Sequence, residues 1–288
     1  MATIYGEPQA VYELRRLLKK ESIKTFTSIE QIKSTDSFLR IQSQHPYICS
    51  GAQGEEQVAG QLSKLPDDYT VIHNYNLEFP RPLYDRRNDD RIYSVQIDHL
   101  VIGPTGLYLI ETKHWSKTSQ ENRNFFSPVK QLKRCGFALF VLLNQAIEKR
   151  LLSGFAHHWG ERQISPQKIL CFLRHAPSER FQHVTILSPQ RLTYYIRHQE
   201  QLFSRQQMES LVEYLLESGD IPESPSSKFS VAPNDSAGPG CLASIGWLLV
   251  LFIPIFLMTV WGIAGTIGAM IFEYVRSCFN PHGCPPLW

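Results

Sequence analysis

The chain has 288 residues, 29 of them basic and 27 acidic, for a formal charge of +2. That length allows one to two domains and a real core. The balanced charge excludes a protein that meets nucleic acid through a uniformly basic surface. Because Met1 to Lys20 is polar and charged, no secretory signal is expected to open the chain.

Taken in order, Val11, Leu14, Leu17 and Leu18 fall on one stripe, which predicts a helix over 11–20. Ser28 to Leu39 reads as a second short helix or an irregular arm. Arg81, Arg86, Arg87 and Arg91 alternate with Asp85, Asp89 and Asp90, a mixed-charge pattern that predicts a solvated loop. With Lys130, Lys133 and Arg134 further on, these basic groups flank the segment 95–113 and would meet a phosphate backbone there.

That segment carries the chemistry. Val95 to Ile102 and Leu107 to Ile110 are rich in Val, Ile, Leu and Tyr, and Gly103-Pro104-Thr105-Gly106 is turn chemistry, so a β-hairpin with a four-residue loop is expected. Pairing Ile102 with Leu107 sets Asp98 opposite Glu111. Strand alternation then puts Asp98, Leu100 and Ile102 on one face with Leu107, Leu109, Glu111 and Lys113. Facing carboxylates repel unless a proton or cation lies between them. Oxygen-only ligands suit Mg²⁺ or Mn²⁺, and Lys113 would orient or polarise an attacking water or stabilise charge on a phosphoryl oxygen. The plain alternative is a solvated Glu-Thr-Lys strand end with Asp98 in a salt bridge or turn.

Downstream, Phe137 to Leu152 predicts an apolar helix laid against the sheet. His157-His158 points apart on a helix or turn, which favours surface or packing roles over a metal. Gln199 to Glu217 reads as an amphipathic helix, and Ser218 to Gly240, with several Pro and Ser, as a flexible linker.

The run Gln96-Ile97-Asp98-His99-Leu100-Val101-Ile102-Gly103, then Gly106, then Ile110-Glu111-Thr112-Lys113-His114-Trp115, resembles the core signature of the nuclease-related domain, a family placed beside the PD-(D/E)xK restriction-endonuclease-like nucleases. Gly54-Glu55-Glu56-Gln57-Val58 with Leu62 resembles the family's opening helix. Ser127-Pro128-Val129-Lys130-Gln131 resembles its Asn-Pro-x-x-Gln helix start, with Ser127 where Asn is usual, and no Gly follows soon after Trp115. Ile169–Leu173 and Val184–Ser188 would be later strands.

The resemblance covers about Gly51 to Ile196. It implies a phosphodiesterase centre with Asp98 and Glu111 as metal ligands, Lys113 as the catalytic lysine and Glu55 as a further ligand or outer acid. Adjacent helical residues point about 100° apart, and Glu55 rather than Glu56 shares the side of Val58 and Leu62. Gln131 would sit in the first turn after Pro128, where backbone N–H groups welcome phosphate.

No charged residue occurs from Ser236 through Phe272, and Leu242 to Phe272 is dominated by large apolar side chains. This fits one long tilted membrane helix, kinked at Pro254. Gly265 with Ala269 and Ala264 with Gly268 form a small-residue face suited to packing against another helix. Cys49, Cys135 and Cys171 show no pairing pattern, so the enzymatic domain is expected on the cytoplasmic side. Cys278 and Cys284 would reach the opposite side, where a disulfide is conceivable.

The expected organisation is an N-terminal helical arm (1–48), a nuclease-related α/β domain with a restriction-endonuclease-like mixed sheet flanked by helices (49–217), a linker (218–240), a single membrane span (241–275) and a tail (276–288). The expected function is a membrane-anchored, metal-dependent nuclease or phosphodiesterase acting on DNA or RNA. Its alternatives are a non-catalytic module binding nucleic acid or protein through the same cleft, and a membrane-assembly protein that self-associates through the small-residue face.

Overall fold

The computed structural model describes residues 1–21, 26–114, 128–155, 163–174, 176–177 and 180–222. Among them six strands form one mixed sheet in chain order. These are β1 (Thr3–Tyr5), β2 (Thr70–Asp85), β3 (Asp90–Gly103), β4 (Gly106–Lys113), β5 (Gln167–Phe172) and β6 (Thr185–Leu187). β2, β3 and β4 run antiparallel, whereas β1 is parallel to β2 and β4, β5 and β6 are mutually parallel.

Helices cover both faces. One face sets Leu100, Ile102, Leu107, Leu109 and Leu170 against Leu132, Leu139 and Leu143 of α4 (Pro128–Glu148) and Leu211 and Leu215 of α6 (Arg205–Ser218). The other sets Val101, Tyr108, Ile110 and Ile169 against Val58 and Leu62 of α3 (Pro46–Leu62) and Leu192 and Ile196 of α5 (Pro189–Arg197). β4 is therefore buried on both sides, which explains its unbroken run Leu107-Tyr108-Leu109-Ile110. Each such Leu or Ile contributes about 1.5–3 kcal/mol on burial.

A third cluster joins α1 (Gln9–Lys20) and α2 (Asp36–Gln44) to the first half of α3, through Leu14, Leu18, Phe38, Ile41, Cys49 and Ala52. The arm thus packs on the helix that carries Glu55. Cys49, Cys135 and Cys171 are buried free thiols.

Several expectations change. The β3–β4 loop is only Pro104-Thr105, because Gly103 pairs with Gly106. Arg81 to Arg91 is not a loop but the outer end of the β2–β3 hairpin, with Arg86 to Asp89 as its turn. Asp85 holds that turn by accepting from the Arg87 N–H at 3.0 Å and from Asn88 Nδ2 at 2.6 Å. Ser28 to Leu39 resolves into a 3₁₀ turn (Ile29–Gln31) and the start of α2, capped by Thr35 Oγ1 accepting from the Phe38 N–H at 3.2 Å. The helix start expected at Pro128 and the apolar helix expected from Phe137 to Leu152 are one helix, which ends at Glu148. Gln199 to Glu217 is helical only from Arg205, after a capping box formed by Ser204 and Gln207.

Two close approaches fix the packing. A Cβ on Gly54 would lie 3.1 Å from the His114 Cβ and 3.4 Å from Leu173 Cδ1, so α3 runs tight against the ends of β4 and β5. At the end of α6, a Cβ on Gly219 would fall 2.3 Å from the Tyr75 ring, whose hydroxyl donates to the Leu215 carbonyl at 2.6 Å. Asn76 and Asp220 then exchange two backbone hydrogen bonds of 2.9 and 2.8 Å.

Among the described residues no helix is long and apolar enough to cross a membrane. The apolar segment Leu242 to Phe272, the pair His157-His158, Trp115, Ser127 and the tail with Cys278 and Cys284 lie outside the described residues.

Candidate active site

The site begins at a break in the sheet. The β2–β3 ladder pairs His73 with His99 and Tyr75 with Ile97 but skips Asn74 and Asp98, and Asn74 has a left-handed φ of 52°. Core residues step from Ile97 to Leu100 on β3 and from Ile72 to Tyr75 on β2, so both strands change pleat phase at the same place. Simple alternation therefore carries the face of Leu100 and Ile102 as far as that slip and stops short of Asp98.

The β3–β4 register has Ile102 opposite Leu107 and continues to His99 opposite Ile110, where it ends. Regular continuation would set Thr112 against Ile97. Instead the Thr112 N–H donates to Asp98 Oδ2 at 2.9 Å, and β4 goes on beside β5. The Asp98 carboxylate thus occupies the gap where β3 and β4 part.

Behind Thr112 lies a buried polar chain. Its Oγ1 is 3.1 Å from His99 Nε2, and His99 Nδ1 is 2.7 Å from His73 Nδ1. Burial pushes His99 down to about 3, and burial together with the neighbouring ring pushes His73 down as well. Both rings are therefore neutral, and one donates to the other.

Glu111 is 2% exposed and accepts from Lys113 Nζ at 2.5 Å. Burial, and then the Asp98 charge, push the Glu111 carboxyl up to about 8, against the pull of Lys113. Burial also raises Asp98, with Lys113 and the Thr112 N–H opposing it. For Lys113, burial works to lower the amine, but Glu111, Asp98 and more weakly Glu55 outweigh it and hold it raised. Lys113 is thus a cation under three acids.

Glu55 reaches the same field from α3. Burial first, then Asp98, push it up to about 8, while the Ala10 N–H in the first turn of α1 opposes the rise by donating to Glu55 Oε2 at 2.7 Å. Glu56 turns away and accepts from the Ile29 N–H at 2.8 Å. Gln131 stands in the first turn of α4 and, among the described residues, makes no hydrogen bond to Asp98, Glu111 or Lys113. It lines an opening of about 480 Å³ with Ser94, Gln96, Arg134 and Cys135.

Cys135, one turn further along α4, does feel the carboxylates. Burial, then Glu111 and Asp98, raise its thiol to about 12. Of the flanking basic residues, Arg134 is engaged by Asp90 at 2.7 Å and by the Ser94 carbonyl at 3.1 Å, while Lys130 and Lys133 are exposed.

Among the described residues no group of three or more His, Cys, Asp and Glu side chains is placed to hold one metal ion. The donors at hand are Asp98 and Glu111, with Glu55 turned toward α1. Two carboxylates that resist ionisation because they are buried together suit a hard divalent cation, and Mg²⁺ usually takes only one or two carboxylates beside waters and phosphate.

Residues 50–159 match the model of the nuclease-related domain, a span that contains Glu55, Asp98, Glu111, Lys113 and Gln131. The chain carries a nuclease-related domain. A similar protein is one of Bacillus anthracis, described as uncharacterized, 39% identical over 66 residues. That stretch is 23% of this chain and spans about a quarter, 26%, of the relative. No solved structure matches the chain.

Sequence reasoning singled out Asp98, Glu111, Lys113, Glu55 and Gln131 and passed over Thr112, His73, Asn74 and Cys135, which lie around Asp98 and Glu111. His99 and Thr112 lie inside the signature and were open to that reading. His73 and Asn74 sit on β2, which no local pattern ties to Asp98.

Proposed function

We propose that the nuclease-related domain is a metal-dependent phosphodiesterase acting on DNA or RNA, built on a restriction-endonuclease-like sheet. The observation that carries this is the Asp98 carboxylate in the strand gap, beside the pair of buried Glu111 and half-buried Lys113. Asp98 and Glu111 would hold Mg²⁺ or Mn²⁺, which supplies Lewis-acid polarisation and neutralises phosphate charge. Lys113, held protonated, stabilises negative charge on a non-bridging phosphate oxygen and orients water in front of it. The Thr112 N–H fixes one Asp98 oxygen, leaving the other for a ligand. Glu55 would join as an outer acid or further ligand, and Gln131 would contact the substrate backbone from the first turn of α4.

We further propose that Leu242 to Phe272 anchors the chain as a single membrane helix with the nuclease-related domain on the cytoplasmic side, and that Gly265 and Ala269 pair it with a second copy. The uncharged apolar length of that run supports this.

A second reading, a non-catalytic module that binds nucleic acid or protein through the cleft, draws on the present engagement of the acids: Glu111 by Lys113, and Glu55 by Ala10. Cleavage of labelled DNA and RNA by the full chain in detergent, with and without Mg²⁺ or Mn²⁺, decides between the two. Metal-dependent cutting abolished by Asp98→Asn and Lys113→Met supports the enzyme. Binding without cutting in every metal supports the module.

A further inference from the structure

At the ends of β4 and β5, with the residue after Lys113 in its wall, an opening of about 490 Å³ lies against α3, within the range that holds a small organic ligand. Its polar lining includes Gln53 and Gln57 of α3, His114, Arg174 and Lys33. We propose that it is the subsite for one nucleotide of the bound strand, flanking the phosphate at Lys113; this rests on the phosphodiesterase reading above.

Position is the first argument. His114 follows Lys113 directly, and the Leu173 N–H donates to the Lys113 carbonyl at 3.2 Å, so the subsite wall and the lysine share backbone.

Charge is the second. The two acids on the wall are engaged, since Glu30 bonds Lys33 Nζ at 2.7 Å and Glu56 accepts from the Ile29 N–H at 2.8 Å. Among the described residues, no carboxylate lies within ion-pair distance of Arg174. An exposed guanidinium beside a polar recess suits a phosphate, which it can hold through two parallel bonds.

The amides supply the third argument. Gln53 and Gln57 are four residues apart on α3 and so present side by side, each offering a donor and an acceptor suited to a base edge. His114 Nδ1 lies 2.9 Å from both the carbonyl and the hydroxyl of Ser50, which ties the ring to α3. Tight packing at Gly54 holds α3 at this distance.

The test is fluorescence anisotropy of labelled 12-nucleotide DNA and RNA single strands on the full chain in detergent, carrying Asp98→Asn so that nothing is cut, across a salt series. Arg174→Ala should weaken binding about tenfold and reduce the slope of log affinity against log salt by about 0.7. Gln57→Ala should weaken it several-fold with the slope unchanged, and comparing the two oligomers shows which sugar is preferred. If the parent protein binds and Arg174→Ala alters neither affinity nor slope, or if neither oligomer binds, the subsite is overturned. Binding that depends on Arg174, in a wild-type protein that never cuts, leaves the subsite standing and removes the phosphodiesterase reading instead.

Discussion

Raising the pH should loosen the metal-free protein, and the carboxylate cluster sets by how much. Glu55 and Glu111 each sit at about 8 in the folded chain against an ordinary 4.5, chiefly because of burial and then the Asp98 charge. The folded state therefore keeps protons that the unfolded state releases. That stabilisation is complete below pH 4.5 and is lost as the pH climbs through about 8. Because the acids share one field, we count one proton held over that interval, at about 1.4 kcal/mol per pH unit, which is on the order of 5 kcal/mol. Below about pH 6.5 the buried neutral His73 and His99 oppose the trend, because the unfolded chain takes up protons there that the folded chain does not. Above it, about 1.5 pH units of the carboxyl effect remain, roughly 2 kcal/mol, and at about 2–4 °C per kcal/mol for a domain of this size the melting temperature in EDTA should drop by roughly 4–8 °C between about pH 6.5 and about pH 9. Scanning calorimetry of the full chain measures it, and Glu111→Gln should remove a large part of the slope. Mg²⁺ should restore the alkaline side, by about 2.7 kcal/mol at a hundredfold excess over its Kd. A melting temperature that stays level or rises in EDTA above about pH 6.5 would refute the reasoning.

Lys113→Met should lower single-turnover cleavage by about 10²- to 10³-fold, the loss typical of one charge-stabilising group. In EDTA it should also destabilise the fold most at high pH, where the carboxylates lose their cation. Ala10→Pro removes the N–H that Glu55 accepts at a helix position tolerant of proline, and a loss of about 1–3 kcal/mol in urea unfolding is expected. Gly54→Val should cost about 1–3 kcal/mol by forcing α3 away from His114 and Leu173, whereas Gly60→Ala, with open space around it, should leave the denaturation midpoint unchanged or raised.

The hairpin was legible in the sequence because unbroken apolar runs and glycine turn chemistry act locally, and its register follows from them up to His99 opposite Ile110. Asp98 itself was not. Its setting depends on a pleat slip shared with Asn74 of β2, a left-handed residue 24 positions earlier that carries no pattern of its own. Glu55 was separated from Glu56 by helical geometry, but its bond to Ala10 was invisible, since nothing local links α1 to α3. β1 spans three residues, Thr3–Tyr5, too few for periodicity to register. The outer β2–β3 hairpin was misread as a loop because charged side chains decorate strands that project beyond the core, where the burial contrast that marks a strand fades.

The staple at the end of α6 has a mechanical side. Asn76 and Asp220 are clasped through their backbones, and Tyr75 grips the Leu215 carbonyl. A tug on the chain beyond Pro222 is therefore delivered to β2 at Asn76 instead of unravelling the last helix. Asn74, the kinked residue across from Asp98, is two positions away, so tension from a moored C-terminus would be felt where the strands part.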